Sequence, residues 1–65
     1  MKGIIKRWFN GRGYGFIEPE EGEDDVFLHF SEVDDPYQLT EGKEVEFEVK
    51  ETYRGLRAIN VKIIM

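Results

Sequence analysis

The chain has 65 residues and no cysteine, and its 14 acidic against 9 basic side chains leave a net charge of −5. That length allows one domain, residues 1–65, with a small core that neither disulfides nor a thiolate-bound metal can cross-link. No apolar run approaches the about 20 residues that span a bilayer, and no apolar signal-peptide core opens the chain, so no membrane partner and a cytoplasmic location are expected.

The charge is unevenly placed. Residues 1–17 carry Lys2, Lys6, Arg7 and Arg12 and no acid, whereas residues 18–35 carry acids and no base. The negative sum argues against a polyanionic partner, but such asymmetry can turn one side of a domain toward a polyanion.

Gly3 to Phe9 reads as the first strand, with Ile4 and Ile5 as its aliphatic anchors. Neighbouring Lys6-Arg7 and Trp8-Phe9 break its alternation and mark a bulge that resets the faces downstream. With the bulge absorbed at Lys6-Arg7, Trp8 is expected to point outward beside Phe16, leaving Phe9 at the rim. An inward indole would overfill a core already supplied with aliphatic residues. Asn10 to Gly13 is a turn, because Asn and Gly accept positive φ cheaply. Tyr14 to about Glu18 is the second strand, ended with help from Pro19. Glu20 to Asp24 turns about Gly22, and Asp25 to His29 or Phe30 is the third strand.

Ser31 caps a single helical turn through Asp34, Asp35-Pro36 ends it, and Tyr37 to Gly42 is a surface loop. Val45, Phe47 and Val49 alternate with Glu44, Glu46, Glu48 and Lys50, the mark of a half-buried strand. Thr52 to Gly55 turn the chain into a last strand, Leu56 to Ile64, with Ile59, Val61 and Ile63 on one face. Five short strands with polar turns and no long helix predict an all-β fold, a five-stranded antiparallel barrel. Closure also hides strand edges that would invite aggregation.

The stretch from Gly13 to Phe30 carries the chemistry. On a strand, Tyr14 and Phe16 share one face, as do Phe27 and His29, while Gly15, Ile17, Val26 and Leu28 take the opposite faces. Both faces are apolar, and so short a chain cannot cover a sheet on both sides. Ile5, Ile17, Val26, Leu28, Val45, Phe47, Val49, Ile59, Val61 and Ile63 already fill a small barrel. The aromatic face is therefore left in water, where rings beside Arg12 and His29 form a stacking surface for unpaired bases.

Lys-Arg-Trp-Phe-Asn at 6–10, Gly-Tyr-Gly-Phe-Ile at 13–17 and Val-Phe-Leu-His-Phe at 26–30 together resemble the cold-shock domain. The likeness continues through Leu39, Glu41-Gly42, Val45–Val49, Arg54-Gly55 and Ala58–Val61. It implies an OB-type barrel that binds single-stranded RNA or DNA, with bases on Trp8, Tyr14, Phe16, Phe27, His29 and Phe30. Lys6, Arg12 and Arg54 match the family's basic positions, and Tyr37 matches an aromatic in its long loop, which is shorter here. The chain departs from the family in having two basic residues before Trp8 and two residues between Asn10 and Gly13. An ungapped register would place Arg7 at the family's Trp position and Trp8 at its Phe position.

No catalytic residue, metal or cofactor is expected. His29 is the single histidine and there is no cysteine, so metal or acid–base partners are lacking. The carboxylates at 20–25 lack the spacing of a calcium loop, and Gly11, Gly13 and Gly15 precede no helix or Walker lysine. The expected function is low-specificity binding of single strands as an RNA chaperone, by a monomer. The alternative is a protein-interaction barrel whose aromatic face takes a peptide.

Overall fold

In the computed structural model, residues 1–22 and 24–64 are described, and five strands form. They are β1 (Lys2–Phe9), β2 (Tyr14–Pro19), β3 (Val26–His29), β4 (Glu44–Thr52) and β5 (Gly55–Ile63). The strands close into a barrel in the order β1-β2-β3-β5-β4. Four of the contacts are antiparallel. The fifth departs from the expected all-antiparallel barrel: β3 and β5 meet in parallel through Phe27 and Arg57, extended by a bridge from Val33 to Val61.

Between β3 and β4 the chain makes two short 3-10 turns, Phe30–Glu32 and Pro36–Gln38. The cap of the first is His29 rather than Ser31, its imidazole accepting the Ser31 N–H. The second occupies part of the expected loop because Asp35 accepts the Tyr37 N–H at 3.3 Å and Pro36 presets the turn. The expected turn about Gly22 includes Glu23, which lies outside the described residues.

Ile5, Ile17, Val26, Leu28, Val33, Leu39, Val45, Phe47, Ala58 and Val61 make the buried core, with Trp8, Val49, Leu56 and Ile63 packed at its margin. Clean alternation on β4 delivers Val45 and Phe47 inward, as expected. Two irregularities decide the rest. On β1, Ile5 is buried opposite Ile17 and Ile4 is 50% exposed, and the pairing then slips between Ile5 and Arg7, which resets the faces of the residues that follow. On β5, Asn60 takes φ 51°, a left-handed conformation that Asn tolerates better than most side chains. The matching slip lies between Glu46 and Glu48. It turns Ile59 to the outer side opposite Glu48 and leaves Ala58 in the core, so Ile59 does not share the face of Val61 and Ile63.

Candidate nucleic-acid interface

The β2–β3 ladder pairs Tyr14 with His29, Gly15 with Leu28, Phe16 with Phe27 and Ile17 with Val26. Cross-strand partners share a face. Leu28, Ile17 and Val26 are buried, so Tyr14, Phe16, Phe27 and His29 all point outward, each half-buried against its neighbours. The rings touch in sequence. Tyr14 lies 5.8 Å from Phe27 and 6.5 Å from Phe16, and Phe16 lies 6.0 Å from Phe27, with tilted or edge-on geometry. Such contacts hold each ring in place while leaving its outer surface open.

Phe9, opposite Tyr14 on β1, adds a fifth ring at 5.3 Å. At the same end of the ladder, across from Tyr14, His29 and Phe30 lie 4.7 Å apart at 35°. The imidazole Nδ1 accepts the Ser31 N–H at 3.2 Å and lies 2.8 Å from the Ser31 hydroxyl. An Nδ1 that accepts a backbone N–H leaves the ring proton on Nε2.

The expected orientation of Trp8 is not found. Its ladder partner is Gly15, not Phe16, and its indole packs against the core with Nε1 buried and, among the described residues, unpartnered. A Cβ on Gly15 would fall 2.8 Å from Trp8 Cε3 and 2.1 Å from the Arg7 carbonyl oxygen. The missing side chain at Gly15 thus makes the room that the overpacking argument denied. The bulge falls where expected and Ile5 is inward as the core set requires, but the slip carries Trp8 to the same inner side as Ile5. Arg7 takes the outward place opposite Phe16.

The expected site residues fall around two neighbouring clefts. Phe16, Phe27, His29 and Arg54 line one of about 560 Å³, together with Thr52, Tyr53, Gly55, Leu56 and Arg57. Trp8, Arg12, Phe30 and Tyr37 line another of about 460 Å³. The His29–Phe30 contact joins them, and Tyr14 lines neither. Lys6 is in neither cleft, and its ammonium pairs with Asp25 at 3.2 Å.

Arg12 donates to the Tyr14 hydroxyl at 3.4 Å. Arg54 lies over the Tyr53 ring at 5.7 Å, and Arg57 over Phe27 at 5.9 Å while also pairing with Glu32 at 3.9 Å. Tyr53 and Arg57 are not singled out from the sequence, and Arg7 is only as the residue that an ungapped register places at the family's Trp position. Tyr53 carried a signal, an aromatic in a turn beside Arg54. Arg57 carried none, because its place over Phe27 comes from the parallel β3–β5 contact.

Among the described residues, no group of three or more His, Cys, Asp or Glu could hold a metal ion, and no helix is long and apolar enough to cross a membrane. The chemistry on offer is stacking, hydrogen-bond donation and positive charge around an open face. A closed five-stranded barrel with outward rings on its second and third strands is an OB-type single-strand-binding architecture.

Comparison with known proteins gives the family. Residues 1–64 match the family model described as 'Cold-shock' DNA-binding domain, and the chain belongs to this family of nucleic-acid-binding domains. It is 47% identical over 64 residues to the cold shock-like protein CspC of Buchnera aphidicola, covering 94% of this chain and 91% of that one. It is 45% identical over 64 residues to the cold shock-like protein CspB of Yersinia pestis, covering 94% and 90%. The solved structure of drosophila Unr CSD456 superposes with a TM-score of 0.82 at 32% identity over 98% of this chain, which spans 26% of that longer one.

Proposed function

We propose that the barrel binds single-stranded RNA or DNA by stacking successive bases on the outward rings of β2 and β3 and acts as an RNA chaperone. The observation that carries this reading is the continuous ladder Tyr14–Phe16–Phe27, with rings 5.8–6.5 Å apart on the solvent side of a sheet whose other side is the core. Ring contact on one edge and water on the other is what a stacking platform requires.

Tyr14, Phe16, Phe27, His29 and Phe30 take bases in this reading. Arg54, and Lys6 once released by Asp25, meet the backbone. Trp8, Arg12 and Tyr37 line the second cleft, where the strand continues beyond Phe30. One barrel carries the whole platform, so a monomer suffices.

The mechanism is competition. Each base stacked on protein is worth about 1–3 kcal/mol, comparable to the stacking lost when a short hairpin opens. A few bases held this way tip weak RNA structure toward the open form with no nucleotide hydrolysis. Titrating a short oligopyrimidine into the protein, with a proline-rich peptide of equal length as the control, tests this reading. Salt-sensitive binding of the oligonucleotide supports it. Binding of the peptide alone would transfer the aromatic face to a protein partner.

A further inference from the structure

The slip on β1 puts a guanidinium where a ring was expected. Arg7 is directly across the ladder from Phe16, and side chains so paired root about 4.5–5.5 Å apart. It is exposed, and its backbone is held close to Gly15. Nearby cations are engaged: Lys6 with Asp25, Arg57 with Glu32, and Arg12 with the Tyr14 hydroxyl. Arg7 takes part in no side-chain hydrogen bond, ion pair or cation–ring contact among the described residues. It is a free donor fork beside the middle ring of the platform.

We propose that Arg7 reads the base stacked on Phe16 and selects guanine there. The inference rests on the stacking reading above. A guanidinium offers donors only, in a rigid planar fork. Guanine presents two adjacent acceptors, O6 and N7, to such a fork, whereas adenine sets its N6 donor beside N7. Uracil and thymine offer one acceptor on the corresponding edge, and cytosine a donor. A purine is also longer than a pyrimidine, so over Phe16 it can reach the neighbouring strand that carries Arg7. Guanine and adenine stack over nearly equal areas, so a preference between them isolates the edge from the stack. Binding remains weakly specific overall, with one position discriminated.

The test measures affinities of the full chain for a short oligothymidylate carrying one central guanine, adenine or cytosine. The expected result is guanine over adenine by about five-fold or more, the low end for a bidentate arginine–guanine pair, and guanine over cytosine. Arg7→Ala and Arg7→Lys should both bring the guanine-to-adenine ratio near unity. Both variants should leave the log–log salt slope close to that of the parent, because Arg7 meets a base edge and not a phosphate.

Equal binding of guanine and adenine, a preference for cytosine, or a ratio that survives in Arg7→Ala would overturn the proposal while leaving the stacking platform standing. Binding of none of the oligonucleotides would overturn both. Should Arg7→Ala fail to fold, Arg7→Lys, which keeps the charge and the aliphatic stem but loses the planar fork, decides the assignment.

Discussion

The indole of Trp8 lies over Gly15, so close that a Cβ there would sit 2.8 Å from its Cε3. The same Cβ would meet the Arg7 carbonyl oxygen at 2.1 Å, and a backbone oxygen cannot swing aside as a flexible side chain does. Gly15→Ala is therefore expected to force β1 and β2 apart locally and to destabilise the domain by about 1–3 kcal/mol, the range for overpacking. In a domain this small that lowers the unfolding midpoint by several degrees or more, about 4–8 °C per kcal/mol. Calorimetry checks it, and an unchanged midpoint would place the indole elsewhere.

Trp8 is the single tryptophan, so its emission reports its own surroundings. Packed at the core margin, it should emit to the blue of free indole and shift red on unfolding in urea. Emission like that of indole in water from the folded protein would contradict the inward placement.

Phe16→Ala and Phe27→Ala remove rings that contribute to the outer ladder and not to the buried core. Each should weaken oligonucleotide binding by about 1–3 kcal/mol while the cooperative unfolding transition persists. If either variant loses its fold, these rings are structural and the platform does not exist.

Salt dependence separates stacking from charge. With Lys6 and Arg57 already paired to carboxylates, we expect about two to four phosphates to be neutralised, at about −0.7 per phosphate in the log–log slope for single strands. Asp25→Asn frees Lys6 and should steepen the slope by up to about 0.7. The protein's stability should barely move, since exposed ion pairs contribute about 0–1 kcal/mol. A parent slope beyond about −5 would make electrostatics the dominant force.

Asn60 gives a backbone test. At φ 51° a β-branched side chain is strained, so Asn60→Val should cost about 1–2 kcal/mol, with the bond that Asn60 donates to Glu48 also lost. Asn60→Gly keeps the conformation and should cost less. Equal losses in the two variants, read from denaturant midpoints, would remove the conformational argument.

The parts of this molecule that could be read from sequence are those governed by unbroken alternation. Val45 and Phe47 on β4, and Ile17, Val26 and Leu28 beneath the rings of β2 and β3, follow from a period of two. Trp8 and Ile59 did not, because each follows or adjoins a slip, and one extra residue exchanges the faces of everything beyond it. Ile5 is the inner isoleucine, as the core set expects, and the slip after it carries Trp8 to the same side. Val33, Leu39 and Ala58 were also missed as core residues. The first two lie in irregular chain with no period to reveal them, and an alanine is inward or outward only by its neighbours. The clustering of the rings could be foreseen. Arg57 could not, because its place comes from the parallel pairing of β3 with β5, whereas the ungapped register already sets Arg7 at the family's Trp position, opposite Phe16 in the structure.

The parallel contact of β3 with β5 has a consequence for the protein's persistence. The larger cleft draws Phe16, Phe27 and His29 from one half of the chain and Thr52 to Arg57 from the other, so its two banks are brought together only when the last strand docks. Closing so long a loop is entropically costly, and non-local pairings of this kind slow folding. A nucleic-acid strand lying across both banks clasps the two halves at their seam. Because it binds only the closed form, it raises stability by RT ln(1 + [L]/Kd), about 2.7 kcal/mol at a hundred-fold excess over Kd. For a chain with so small a core and no cysteine, a single strand bound across this seam would act as a clasp as well as a ligand.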